Sequence, residues 1–359
     1  MHLSTPFKKA FLFAAIAIAT LQTQAQDLHF SQYYTHASWL NPSLVGNYDG
    51  SYRLAAIYRD QWSSAVGKSG FKTIGADIDF CLLEGYLRTD KLAIGVGFFN
   101  DRSGSAGLSI LNANISVAYH KGFGALGQHR LSVGLQGAFI QKRVEDPLFG
   151  DQFLGHNQTP LNASAENFNR GFMQGDFNAG LYWRSNFKDK IKLGIGFGAY
   201  HLITPKQSSV VNQTTGEKDK NSVLPRKFNV DLNVEAFIGK KKKVSISPEF
   251  LLIYQDPFME ILPGLSATYY FNTGFRTNNS ISAGLRFRYS GIKGGNPDAV
   301  IPMINAEFRN VRLGFAYDVN ISSLKTSTTN RGGFEISLAY VGETIKSFKA
   351  NKSLPSRRF

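Results

Sequence analysis

The sequence predicts one closed antiparallel β-barrel of the outer-membrane type, with about 14 strands. Three observations lead there. Apolar residues alternate with small or polar ones at period 2 over most of the chain, and strong helical periodicity is nearly absent. Many of these runs approach the ~10 residues that a tilted membrane-spanning strand requires. Their connections alternate between long and short, as in barrels with long surface loops and short periplasmic turns. Composition agrees. A chain of 359 residues with 29 Phe and 15 Tyr is too aromatic for disorder. It has no apolar run long enough for a membrane helix, and its one cysteine, Cys81, excludes a disulfide framework.

Residues 1–25 read as a secretory signal peptide. Lys8 and Lys9 form its basic start, Ala10 to Leu21 is apolar apart from Thr20, and Thr23-Gln24-Ala25 sets small residues at −3 and −1 of a cut before Gln26. No cysteine follows the cut, which argues against a lipoprotein anchor. Residues 26–50 are expected to form an N-terminal periplasmic segment, with Asn41-Pro42 fixing a turn and Gly46 releasing the chain into the barrel.

The barrel is expected over 51–341. Its first strand runs near Tyr52–Arg59, with Arg59 and Gln61 pointing inward. The second, Phe71–Leu82, sets Ile74, Ile78, Phe80 and Leu82 against Thr73, Asp77, Asp79 and Cys81. A third follows at Lys91–Asn100. The fourth, Ser109–Lys121, sets Leu111, Ile115, Val117 and Tyr119 against Asn112, Asn114, Ser116 and His120. The fifth covers Arg130–Gln141. The sixth, Met173–Arg184, turns Asp176 and Arg184 inward, and the seventh, Lys190–Leu202, carries Lys192, Gly194, Gly196 and Gly198 on its lumen face.

The eighth, Phe228–Ile238, sets Val230, Leu232, Val234 and Ile238 against Asn229, Asp231, Asn233 and Glu235. The ninth, Val244–Tyr254, is the weakest, because Pro248 lacks a ladder donor. Pro263–Phe271 is the tenth. The eleventh, Ser280–Tyr289, sets Ile281, Leu285, Phe287 and Tyr289 against Ser282, Gly284, Arg286 and Arg288. Ala299–Phe308 and Asn310–Val319 are the twelfth and thirteenth. The last, Phe334–Val341, alternates cleanly to Tyr340, as outer-membrane assembly signals do. An even count puts both termini on the periplasmic side and leaves no open edge. Tyr58, Trp62, Tyr119, Trp183, Tyr200, Tyr254, Tyr289 and Tyr340 are expected in interfacial girdles.

Removing Lys8 and Lys9 lowers the formal charge from +14 to +12. The lumen is not its source. Asp77, Asp79, Asp176, Asp231, Glu235, Glu249, Glu307, Asp318 and Glu335 face Arg59, Arg184, Lys192, Arg286, Arg288 and Arg312 there, a mixture that favours ion-pair ladders over a selective ring. The surplus lies in a turn, Lys240, Lys241, Lys242 and Lys243, and in a basic periplasmic tail at 342–359 with Lys346, Lys349, Lys352, Arg357 and Arg358. The turn is either a dock for an acidic periplasmic partner or a solvated loop. The exported compartment excludes nucleic acid as a partner.

Catalytic and metal signals are weak. His29, His36, His120, His129, His156 and His201 are scattered without a metal-binding spacing. There is no nucleophile elbow and no phosphate loop. Neither an enzyme nor a cofactor site is expected.

Ordered motifs point further. Phe30-Ser31-Gln32-Tyr33-Tyr34, Leu40-Asn41-Pro42-Ser43-Leu44-Val45-Gly46 and Tyr58-Arg59-Asp60-Gln61-Trp62 open the mature chain. Phe149-Gly150-Asp151-Gln152-Phe153, Asp176-Phe177-Asn178-Ala179-Gly180-Leu181, His201-Leu202-Ile203-Thr204-Pro205, Tyr317-Asp318-Val319-Asn320-Ile321-Ser322 and Gly332-Gly333-Phe334-Glu335-Ile336-Ser337-Leu338 follow. In this order they resemble the PorP/SprF family of outer-membrane proteins of the type IX secretion and gliding-motility machinery. The sequence departs from the family pattern at Ser43, where Ala is usual, and at the Pro355-Ser356-Arg357-Arg358-Phe359 end, where a cysteine is usual. The resemblance implies a non-enzymatic barrel in the outer membrane, in contact with its lipid. Its partners would be other secretion components and a dedicated secreted surface protein bearing a C-terminal sorting domain. Phe149, Gly150, Asp151, Gln152 and Phe153, in the longest surface loop, are the candidate client contact. Lys240–Lys243 are the candidate periplasmic dock. Asn41, Pro42, Gly46, Tyr58, Arg59, Gln61 and Trp62 are motif residues read as structural. The rival reading is a general porin or small-solute channel, since about 14 strands can enclose an open lumen.

Overall fold

The computed structural model describes residues 28–343 except 64–66, 68–69, 83–88, 105–106, 125–126, 146–170, 188–189, 207–222, 274–277, 293–294 and 324. The expected signal peptide, Phe149–Phe153 and the tail from 344 onward lie outside the described residues.

Fourteen antiparallel strands close into one barrel. They are β1 Tyr52–Gln61, β2 Phe71–Leu82, β3 Lys91–Ser103, β4 Leu108–Phe123, β5 His129–Val144, β6 Gly171–Phe187 and β7 Ile191–Tyr200, followed by β8 Lys227–Ile238, β9 Val244–Gln255, β10 Phe258–Thr273, β11 Asn278–Ile292, β12 Asn296–Phe308, β13 Val311–Asn320 and β14 Arg331–Gly342. Each pairs with its sequence neighbours, and β1 meets β14 from Tyr52↔Gly342 to Gln61↔Gly333. No edge remains to present unpaired backbone to lipid. No helix among the described residues is long and apolar enough to cross a membrane; the crossings are strands.

The facing is inverted relative to a water-soluble protein. On β11 Leu285 is 53% exposed, while Arg286 and Arg288 are 1% and 0% exposed. On β4 Ile115, Val117 and Tyr119 are exposed and Ser116 and His120 fully buried. Apolar side chains thus coat the outside, where lipid replaces water, and charge collects within.

Three expectations are corrected. Tyr200 is not a girdle residue. It is buried on the lumen side, on the same face as Gly196 and Gly198, and its hydroxyl donates to the Ser38 carbonyl (3.0 Å). The alternation of connection lengths is only partial. Residues 145–170 and 201–226 do form long connections at one end, here the far end. At that same end, however, Asp256-Pro257 alone joins β9 to β10, because the ladder continues to Gln255↔Phe258. The third correction concerns the N-terminal segment. Residues 28–50 do not precede the barrel beside its rim; they lie inside it, where inward-facing strand positions partner many of their polar groups.

Candidate functional site: a plug inside the barrel

The filled lumen is the built feature of this molecule. The plug contains one helical turn, α1 (Ala37–Leu40), and a 3-10 turn at Pro42–Leu44. Its Phe30, Trp39, Leu40, Val45 and Tyr48 are nearly or fully buried. So are its polar residues Ser31, Gln32, His36, Ser38 and Asn41. A segment this polar stays buried only if most of its groups are answered, here by the wall and by one another.

At the far end the answer is a charge network. The Ser31 and Gln32 N–H groups donate to the two oxygens of Glu335 on β14 (2.5 and 2.7 Å). Arg59 on β1 reaches the same carboxylate through Nη1 (2.5 Å) and Asp318 on β13 through Nη2 (2.7 Å). Arg288 on β11 donates to Asp318 (2.6 Å) and to the Ser31 hydroxyl, which in turn donates to Asp318 (2.7 Å). Arg286 donates to the Ser31 carbonyl and to Glu249. It also stacks beneath Tyr33 and Tyr34, 4.5 and 4.9 Å from the ring centres. Buried charges of both signs here neutralise one another while gripping the plug backbone.

In the middle, His36 Nδ1 lies 2.7 Å from Asp77, whose other oxygen accepts from Ser38 Oγ (2.7 Å). Gln136 donates to the Ser38 carbonyl (3.0 Å). Lys227 caps Trp39 and Tyr200 with its ammonium 5.3 and 4.6 Å from their rings. Asn41 caps the 3-10 turn: its Oδ1 accepts from Ser43 N–H (3.0 Å) and Ser43 Oγ (2.7 Å), and its Nδ2 donates to the Leu181 carbonyl (2.9 Å). Two glycines in the wall admit this turn. A Cβ at Gly180 would overlap Asn41 Oδ1, and one at Gly134 would overlap the Pro42–Ser43 peptide.

Toward the near end, where β1 begins and β14 finishes, Gly46 adopts φ 73° and its N–H donates to Asp79 (2.6 Å). Arg53 clasps that carboxylate through Nε (2.9 Å) and Nη2 (3.1 Å). His120 Nε2 faces the Val45 carbonyl (2.8 Å), so it carries the proton, and Nδ1 accepts from Ser132 Oγ (2.7 Å). The plug therefore starts near the far rim, beside Arg59, and descends to the near rim at Ser51.

The structure thus brings Asn41, Pro42, Gly46 and Arg59 into one assembly, with Gln61 accepting from Arg59 Nη2 (3.0 Å). Tyr58 lies outside, 37% exposed, and Trp62 packs edge-on against Phe71 at 5.4 Å. Lys240–Lys243 form the β8–β9 turn at the near end, away from the plug, with Lys240, Lys241 and Lys243 exposed. Sequence reasoning missed Ser31, Gln32, Ser38, Arg53 and Gln136 as partners across the lumen. One signal was available. Phe30, Tyr33, Tyr34, Trp39, Leu40, Leu44, Val45 and Tyr48 make residues 30–48 too apolar for a solvated segment, without the period of a strand.

Comparison with known proteins agrees with the barrel fold. The family model described as type IX secretion system membrane protein PorP/SprF matches residues 22–340. A search of curated proteins returns no match. Among solved structures, two mutants of TodX, each described as a monoaromatic hydrocarbon channel, superpose with a TM-score of 0.52 at 10% identity. The first alignment covers 88% of this chain and 95% of that one, the second 85% and 93%. At that identity the likeness is one of fold, an outer-membrane barrel.

Proposed function

Because the chain belongs to the PorP/SprF family of type IX secretion system membrane proteins, we propose that it is a plugged outer-membrane barrel of the secretion and gliding apparatus, needed for translocation or surface anchoring of one dedicated secreted surface protein. The observation that carries this reading over a general porin is the lumen itself. A diffusion channel requires a continuous aqueous path, whereas residues 28–50 occupy this one and are bonded to both ends of it. A barrel closed to solutes acts through its surfaces.

On this reading a signal peptide at 1–25 exports the chain. The far end faces the cell exterior, and Phe149–Phe153 in the 145–170 connection contacts a client carrying a C-terminal sorting domain. The near end faces the periplasm, where Lys240–Lys243 meet an acidic surface of another secretion component. The test is removal of the gene, followed by a census of surface proteins and of small-solute uptake. The proposal expects loss of one displayed protein with uptake unchanged. Slower uptake with every surface protein displayed would establish the porin instead.

A further inference from the structure

We propose that the near end of the lumen holds an oxyanion site built from Arg130 and Arg184. The two residues are direct register partners on β5 and β6, both on the lumen face. Such partners have Cβ atoms about 4.5–5.5 Å apart, and like charges placed so repel. Arg130 is 2% exposed, and among the described residues its Nε and Nη1 have no hydrogen-bond partner; buried Nη1 of Arg184 has none there either. Burial without a partner is the costly arrangement for a guanidinium.

The surroundings repay the cost only in part: Asp49 of the plug lies close enough to attract Arg130, but it leaves the Nε and Nη1 without a hydrogen bond. The next register positions on either side are Gly122 on β4 and Gly194 on β7, which have no side chain to offer. Asp90, at this end of the barrel, already accepts from Lys121 Nζ (2.8 Å), Tyr119 OH (2.6 Å) and Gly122 N–H (3.1 Å). Asp79 is taken by Arg53 and Gly46. The wall thus leaves three unanswered donor nitrogens on two adjacent cations. A tetrahedral oxyanion such as phosphate or sulfate offers an acceptor to each, and guanidinium groups are suited to bind it.

Arg184 also lines an internal space of about 80 Å³ between the plug and β6–β8, together with Asn47, Tyr182, Lys192 and Asn233. That is well above what one water needs and leaves room for a small anion. Asp231 and Glu235 line the same space one lumen row to either side of Arg184, Glu235 being paired with Lys192 (2.9 Å), so an anion is confined to the arginine row between them. The barrel wall separates the pair from lipid headgroups, so the ligand is a soluble oxyanion.

The experiment is equilibrium binding of radiolabelled inorganic phosphate to the purified, detergent-solubilised full chain, with competition by sulfate. The wild type is expected to bind saturably at one site, and Arg130→Gln and Arg184→Gln each to weaken binding at least tenfold. Arg312→Gln, remote from the pair, should bind as the wild type does. Should either glutamine variant fail to fold, Arg130→Lys keeps one charge but loses the planar fork, and should still bind several-fold more weakly. No saturable binding by the wild type, or wild-type affinity in the Arg130 and Arg184 variants, overturns the proposal.

Discussion

Glu335→Gln is the sharpest perturbation of the plug. The carboxylate is fully buried and accepts from the Ser31 N–H, the Gln32 N–H and Arg59 Nη1. Glutamine has nearly the same shape but only one acceptor oxygen, and its amide N–H₂ would face N–H donors. A charge-assisted hydrogen bond contributes about 1.5–3 kcal/mol, and a buried donor left unanswered costs about 1–3 kcal/mol. Arg59 would then share Asp318 with Arg288, two guanidiniums on one carboxylate. Breaking one partner of a buried ion pair costs about 3–5 kcal/mol, in line with those parts. At about 1.4 kcal/mol per tenfold, the released plug should become roughly 10²–10⁴ times more populated. The readout is maleimide labelling of a cysteine placed at Thr35, 4% exposed, with Cys81→Ser as background. When opening and reclosing are fast relative to labelling, its rate follows that population. Heat-modifiable migration of the barrel should not change, because the β1–β14 ladder is backbone. Adding Arg59→Met, which removes the surplus cation and leaves Asp318 to Arg288, should restore much of the protection. A labelling rate within a few-fold of the parent would refute the reasoning, as would collapse of the barrel together with the plug.

Further outcomes follow from the facing and the loops. Tags inserted at Asn157 and Thr215 should be reached by antibody on intact cells, and a tag at Lys241 should not; surface labelling at Lys241 would reverse the topology. Leu285→Arg places a charge on the lipid face and should cost about 2–4 kcal/mol near the midplane, impairing assembly. Thr268→Arg, which points into the internal space beside Tyr270 and Ser282, should be tolerated, as urea-unfolding midpoints of the two variants would show. Replacing Phe149, Asp151 and Phe153 together with alanine should leave barrel level unchanged while display of the client falls. Unchanged display would remove these residues from the client contact.

The barrel was legible because each strand carries its own evidence. Arg286 and Arg288 alternating with Leu285 and Phe287 assign both faces of β11 from a few adjacent residues. Strand ends were less legible. Asn278-Asn279 and Asn296-Pro297-Asp298 show no apolar alternation, yet the ladder carries β11 and β12 through them. Tyr200 was misassigned by treating an aromatic at a strand end as a girdle residue, although its parity with Gly196 and Gly198 places it inside. Several of the mixed charges of the lumen do pair as expected, as Lys192–Glu235 at 2.9 Å illustrates, whereas Arg184 Nη1 and Asp231 Oδ1 have no hydrogen-bond partner among the described residues. What the lumen charges hold was not legible, because the plug's partners are remote in sequence: Ser31 meets a residue 304 positions away. No local periodicity reports such a contact. Asn41 and Pro42 do make the expected turn, but only Gly134 and Gly180, far along the chain, show that it sits within the wall.

The account rests on a lumen closed by residues 28–50, and planar-bilayer conductance tests that most directly. The full chain should show no sustained open level, whereas a variant with residues 28–50 deleted should conduct steadily. A full chain that conducts as freely as the deletion variant would contradict the account.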